Sequence, residues 1–195
     1  MANQFSKWLL ALSLSGCLSM PPTQFYVLEP LSEQISLATT TEKKRSIGIG
    51  PITIPALLER KQLVTRLPDN TVTIAEFHQW ASPLKDNIAQ VLTYNLATLQ
   101  TGDLFRTYPW SAYGTVNYRI IIDIIKFDIH PNQNVNFVAT WAIMHEKTHA
   151  LVSHGRSKID QPLNDSSYTS VVKVLNKILG DFSQELSLAL EKIPL

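Results

Sequence analysis

The stretch Tyr118 to Ile129, Tyr-Arg-Ile-Ile-Ile-Asp-Ile-Ile-Lys-Phe-Asp-Ile, most limits what this chain can fold into. It is rich in β-branched and aromatic residues and contains neither Gly nor Pro, which marks a strand. Strict alternation sends Ile121, Ile125, Phe127 and Ile129 one way and Ile120, Ile122 and Ile124 the other. Both sets are apolar, so the expectation is a central strand covered on both faces. Asn132 to Asn134 make a turn, and Val135, Phe137, Ala139, Trp141 and Ile143 alternate along a partner strand. Residues 150–159 pair back against that partner.

The rest of the sheet comes from earlier in the chain. Phe25 to Leu28 reads as a first strand, followed by a polar loop over residues 32–46. Ile47 to Ile54 alternates apolar and small residues, and Pro51 within it implies an edge or a bulge. Leu63–Arg66 and Thr71–Ile74 flank Pro68-Asp69-Asn70, a turn sequence in which Pro fixes φ and Asp and Asn accept tight bends.

Two helices complete the pattern. Ser82 as N-cap and Pro83 at the first helical position open one, Gly102 closes it, and Leu84, Ile88, Val91, Leu92, Leu96 and Leu99 form its apolar stripe. Ser167 to Lys192 reads as the other, with Val171, Leu175, Ile178, Leu179, Phe182, Leu186 and Ile193 inward. Gly180 within it costs about 1 kcal/mol relative to Ala. Strands grouped between two helices give an α+β fold: a two-layer sandwich, a mostly antiparallel sheet with both amphipathic helices on one face.

Composition narrows the function. Seventeen basic and sixteen acidic side chains leave a net charge of +1. That balance argues against nucleic acid, which needs a concentrated positive face. The glycines are scattered, and Gly48-Ile49-Gly50 leads into a strand pattern, not a phosphate-binding turn.

The N-terminus carries the clearest address. Met1 to Lys7 is positively charged, Trp8 to Leu14 is apolar, and Leu14-Ser15-Gly16-Cys17 ends on the only cysteine. The apolar run is far short of the ~20 residues a membrane-spanning helix needs, so residues 1–16 read as a secretory signal. Leu14-Ser15-Gly16-Cys17 resembles the lipobox of bacterial lipoproteins, which implies lipidation of Cys17. Stable anchoring takes about two lipid signals, and the three chains of a mature lipoprotein exceed that. Leu18 stands where lipoproteins retained in the inner membrane usually carry Asp, so the resemblance implies the periplasmic face of the outer membrane. Residues 17–24 form a lipidated tether, and its seven residues after the cysteine reach at most ~24 Å. Residues 25–195 form a single α+β domain.

His145-Glu146-Lys147-Thr148-His149 matches the H-E-x-x-H pattern of zinc hydrolases, whose chemistry needs both histidines on one helical face. Here the preceding residues alternate with period two. Along a strand, residues four apart stand ~13 Å apart, too far to share zinc at ~2.1 Å. Val152 and Gly155 also replace the Gly and third His of the extended motif. The reading is a polar hairpin tip that binds metal at most adventitiously, with no cofactor and no catalytic residue assigned. Asp123 and Asp128 fall on opposite faces by strict alternation, His78 and His130 read as surface or half-buried rings, and Trp80, Trp110 and Trp141 as packing residues.

Several segments, in order along the mature chain, resemble one family. They are Pro22 to Leu28, Ile47 to Pro55, Leu63 to Arg66, Glu76 to Leu84, Tyr108-Pro109-Trp110 and Trp141. Together they resemble the PqiC/YmbA lipoproteins, auxiliary components of ABC-type transport systems. Ser82 departs from the Glu expected before Pro83-Leu84. The resemblance implies a non-enzymatic partner of an MCE-domain transport protein, docking a lipid conduit between inner and outer membranes and supporting envelope integrity. A lipid- or small-ligand-binding periplasmic lipoprotein is the alternative, and a zinc-dependent hydrolase at His145–His149 the remoter one. The doubly apolar strand 118–129 adds an expected homo-oligomer, a ring of copies covering the sheet face that two helices leave open.

Overall fold

The computed structural model describes residues 21–31 and 45–193. Cys17, the lipobox, the signal sequence and most of the polar loop lie outside the described residues.

Among the described residues the strands are β1 (Gln24–Tyr26), β2 (Ser46–Thr53), β3 (Gln62–Arg66), β4 (Val72–Trp80), β5 (Leu104–Thr107), β6 (Tyr118–His130), β7 (Asn134–His145) and β8 (Leu151–Pro162). The two helices are α1 (Leu84–Leu99) and α2 (Tyr168–Glu191). Five strands form one sheet, in the order β5-β2-β6-β7-β8, and three form a smaller one, β1-β4-β3. The fold is an α+β sandwich. Both sheets are mixed: β1–β4, β2–β5 and β2–β6 are parallel, while the long ladders β6–β7 and β7–β8 and the β3–β4 hairpin are antiparallel.

β6 is the central strand of the larger sheet, but it is not covered on both faces. Its register against β7 shifts between Ile124 and Lys126. The extra residue of this bulge reverses the alternation. Ile120, Ile122 and Ile124 before it, and Phe127 and Ile129 after it, all enter one core, while Ile125 is 41% exposed. Ile121 is half-buried and Asp123 exposed on the opposite face. The same shift corrects the carboxylates. Asp123 and Asp128 share the outer face, where Asp123 accepts from the Thr53 hydroxyl and Asp128 pairs with Arg66 at 3.3 Å.

Both helices touch the larger sheet, α1 at β2 and β5, α2 at β7 and β8, and they pack on each other. Leu84, Ile88, Val91, Leu92 and Leu96 are buried as their spacing requires, but Leu99 is 36% exposed in the last turn. The N-cap is Pro83, not Ser82, and no side chain caps it. Pro83 is extended (φ −51°, ψ 128°), and its carbonyl accepts from Asp86 N and Asn87 N. Gly102 does not close α1. The helix ends at Leu99, and Gln100 N donates to Leu96 O. Ser167, read as the first residue of α2, is instead its N-cap, accepting from Ser170 N at 3.3 Å. Gly180 lets Leu31 approach: a Cβ there would lie 2.8 Å from a Leu31 methyl. Asn95, fully buried between the helices, accepts from Leu31 N and donates to Ser183 Oγ, so both ends of its amide are satisfied.

β4 continues six residues beyond Ile74, to Trp80. β1 supplies the pairing that extends it, setting Gln24–Tyr26 beside His78–Trp80.

Candidate functional site

Two places gather the residues that stand out in the sequence. The first is the outer face of the larger sheet, which carries neither helix. Gly48 and Gly50 on β2 leave a shallow floor there, and Tyr108 and Trp110 lie across it. A Cβ on Gly48 would come within 2.6 Å of the Trp110 ring, and one on Gly50 within 2.7 Å of Tyr108 Cβ. Gly50 also has φ 122°, a conformation that L side chains rarely adopt. Tyr108 N donates to Ile49 O, and the Tyr108 and Trp110 rings meet edge to face at 5.3 Å. Pro51 marks a bulge in an interior strand, since the β2–β6 register shifts between Ile49 and Ile52.

Further across this face, Ile121, Ala142 and His154 align in register, with Asp123, Thr140 and Arg156 beside them. These two rows line a trough of about 590 Å³. On the opposite, core-side face, Trp141 pairs with Ile122 and lies against Gly155, where a Cβ would stand 2.5 Å from its ring, and its indole N–H donates to Ser157 Oγ at 3.2 Å. The outer face, with Tyr108, Trp110, Ile121, Asp123 and Arg156, thus mixes aromatic, aliphatic and charged groups, a composition suited to contact with another macromolecule.

The second place is a cleft where the smaller sheet meets the start of α1. Ile54, Trp80 and Leu84 are buried at its base, and Glu59, Arg60, Lys61 and Lys85 line it together with Ala81, Ser82 and Pro83. Its volume is about 420 Å³.

Residues 145–149 form the end of β7 and a turn, not a helix. His145 Nδ1 accepts from Thr148 N at 3.2 Å, its ring packs edge-on against Tyr118, and His149 sits at φ 55°. Glu146 lies 3.4 Å from Arg119. The geometry of a helical zinc motif is therefore not built, and among the described residues no group of three or more His, Cys, Asp or Glu is placed to hold a metal. His78 is a half-buried ring between two tyrosines: its Nδ1 lies 2.8 Å from Tyr26 Oη, and it stacks on Tyr168 at 4.0 Å. Burial holds both phenols above their ordinary pKa, and the neighbouring Tyr26 adds to the effect at Tyr168. This cluster ties β1, β4 and α2 together. Trp80 is a core residue, while Trp110 and Trp141 are half-buried against their glycines.

Sequence reasoning missed Arg45, which it placed in the polar loop. Its guanidinium is 9% exposed and faces Asp103, 5% exposed, with Nη2 to Oδ2 at 2.6 Å and Nε to Oδ1 at 3.0 Å. Nη1 donates to Leu190 O and Ile193 O, capping the C-terminus of α2. The signal available was the last residue of the basic run Lys43-Lys44-Arg45, standing directly before an apolar strand.

Comparisons with known proteins show the family and the fold. A profile of the family described as "ABC-type transport auxiliary lipoprotein component" matches residues 26–187. This chain belongs to that family. Among relatives of the auxiliary lipoprotein, Intermembrane transport lipoprotein PqiC of Escherichia coli (strain K12) is 23% identical over 192 residues, covering 96% of this chain and 99% of the relative. The protein of the same name from Shigella flexneri matches equally. The fold recurs in the crystal structure of an uncharacterized protein, with TM-score 0.72, 18% identity, and 87% of this chain and 99% of the other covered. It recurs also in a Xanthomonas campestris protein, with TM-score 0.67, 11% identity, and coverage of 85% and 93%. Segments that carry the family resemblance contribute to both places described above: the β2 glycines with Tyr108 and Trp110 to the first, and Ile54 and Trp80 to Leu84 to the second.

Proposed function

We propose that this protein is a lipoprotein anchored through Cys17 in the outer membrane, with residues 25–195 as one periplasmic domain that docks an MCE-domain transport protein. In this role it holds the outer end of a lipid conduit between the two membranes and so supports envelope integrity. The observation that carries the reading is family membership across residues 26–187, in a chain whose relative is named an intermembrane transport lipoprotein. The lipobox supports the anchor. No helix of the described residues is long and apolar enough to cross a membrane. Docking, not catalysis, fits residues 145–149 as strand end and turn and outer-face carboxylates already engaged by Thr53 and Arg66.

The bulge in β6 weakens the sequence argument for a ring of copies, because Phe127 and Ile129 turn into the core. The helix-free face remains the surface on which an MCE-domain protein is expected to sit, through Tyr108 and the trough beside Ile121.

The test is crosslinking in living cells. Tagged full-length protein is purified from detergent-solubilised envelopes and its adducts are identified by mass spectrometry. An MCE-domain protein among the adducts is the expected result. Adducts confined to unrelated envelope proteins would refute the docking role.

A further inference from the structure

The cleft floored by Trp80 has a chemistry that docking a conduit does not require. Its base is apolar, made by Ile54, Trp80 and Leu84, and its volume of about 420 Å³ lies in the range of small-molecule sites, roughly 300–1,000 Å³. Three cations, Arg60, Lys61 and Lys85, stand around it against one acid, Glu59. None of these four is in an ion pair among the described residues, where the pairs are Arg45–Asp103, Arg66–Asp128, Arg119–Glu146 and Lys177–Asp181. Arg60 Nε donates to Leu57 O at 3.0 Å, which holds its guanidinium at the rim.

An apolar base draws a hydrocarbon segment out of water at about 25 cal/mol per Å² buried. Rim cations that outnumber the one carboxylate three to one attract an anionic head, and Arg adds a fork that fits carboxylate or phosphate oxygens. A neutral ligand would leave the cations unused, and a small inorganic anion would leave the apolar base wet. We infer that the cleft binds a single-chain anionic amphiphile, with its chain on Trp80 and Leu84 and its acidic head among Arg60, Lys61 and Lys85. The inference rests on the proposed transport role for its purpose and on the cleft alone for its test.

The experiment uses full-length protein reconstituted in phosphatidylcholine vesicles, with no conduit present. A photoreactive benzoylphenylalanine replaces the exposed Ala81 at the cleft, and a control places it at Glu185 on the exposed side of α2. Ser82 serves as a second cleft position should the variant at 81 fail to fold. Tritiated oleate is added and the vesicles are irradiated. Label is expected at the cleft position and not at 185, and Lys61→Glu with Lys85→Glu lowers it by up to about fivefold for each cation reversed. Tritiated lysophosphatidylcholine labels the cleft less than oleate, and excess inorganic phosphate leaves oleate labelling intact. Equal labelling at 81 and 185, equal labelling by the two amphiphiles, insensitivity to both charge reversals, or full competition by phosphate would each overturn the proposal. Because no MCE-domain protein is in the vesicles, the site stands or falls independently of the docking role.

Discussion

Replacing Arg45 with Met should destabilise the domain out of proportion to a single ion pair. The substitution keeps the stem but removes the guanidinium from a site where Arg45 is 9% and Asp103 5% exposed. It leaves a buried carboxylate without its partner and strips Leu190 O and Ile193 O of their shared donor. Breaking a buried pair by removing one member costs about 3–5 kcal/mol. A domain of this size shifts by about 2–4 °C in Tm per kcal/mol, so a fall of roughly 6–20 °C is expected. The double variant Arg45→Met with Asp103→Leu removes the orphaned charge and should recover most of the loss, leaving about 1–2 kcal/mol for the guanidinium bonds lost at Leu190 O, which keeps its backbone donor from Ile193 N, and Ile193 O. Urea titrations and thermal melts on the chain beginning at Leu18 give both numbers. A cost below about 1 kcal/mol for Arg45→Met, the value of an exposed pair, would refute the reasoning, as would a double variant no more stable than the single.

The bulge in β6 makes Ile125→Ser nearly neutral, within about 0.5 kcal/mol, while Phe127→Ala should cost about 3–5 kcal/mol; equal losses in urea midpoint would restore a two-faced core strand. Gly155→Ala places a methyl against the Trp141 ring, where a Cβ would have 2.5 Å, and should cost about 1–3 kcal/mol with a shift in tryptophan fluorescence; an unchanged spectrum and stability would disprove that contact. The Asp165 carboxylate is held below its ordinary pKa by the Ser170 hydroxyl and by the Ser167 N–H and hydroxyl. Its contribution is present above the unfolded carboxylate range and lost as pH falls through the folded value. The Tm gap between wild type and Asp165→Asn should therefore be open at neutral pH and close in strong acid, and a gap that widens on acidification would contradict the role of these hydrogen bonds.

The long elements were legible because their apolar periods are clean. β7 alternates over Val135, Phe137, Ala139 and Ile143, and α2 keeps its stripe from Val171 to Leu186, so packing and pattern agree. β6 was legible as a strand but not in its facing. Nothing in Ile124-Ile125-Lys126 distinguishes a bulge from continued alternation, and one extra residue reverses every side chain beyond it. Strand order escaped for a related reason: the parallel β1–β4 pairing joins residues far apart in sequence, which no local pattern records. Ser82 read as a cap because the first turn often starts beside Pro, but here Pro83 itself keeps an extended ψ and takes that place. The candidate surfaces were visible as separate motifs, Gly48–Pro51, Glu76–Leu84 and Tyr108–Trp110, and only the fold shows which of them meet. Arg45 was hidden because its partners, Asp103, Leu190 and Ile193, lie on other elements.

The central claim is that this auxiliary lipoprotein works from a lipid anchor at the outer membrane. Density-gradient fractionation of cells labelled with radioactive palmitate, comparing wild type with Cys17→Ser, tests it most directly. The wild-type chain should incorporate palmitate and sediment with the outer membrane, while the variant should remain as unlabelled, uncleaved precursor absent from that fraction. A Cys17→Ser protein that still carries palmitate and sediments normally would contradict the account.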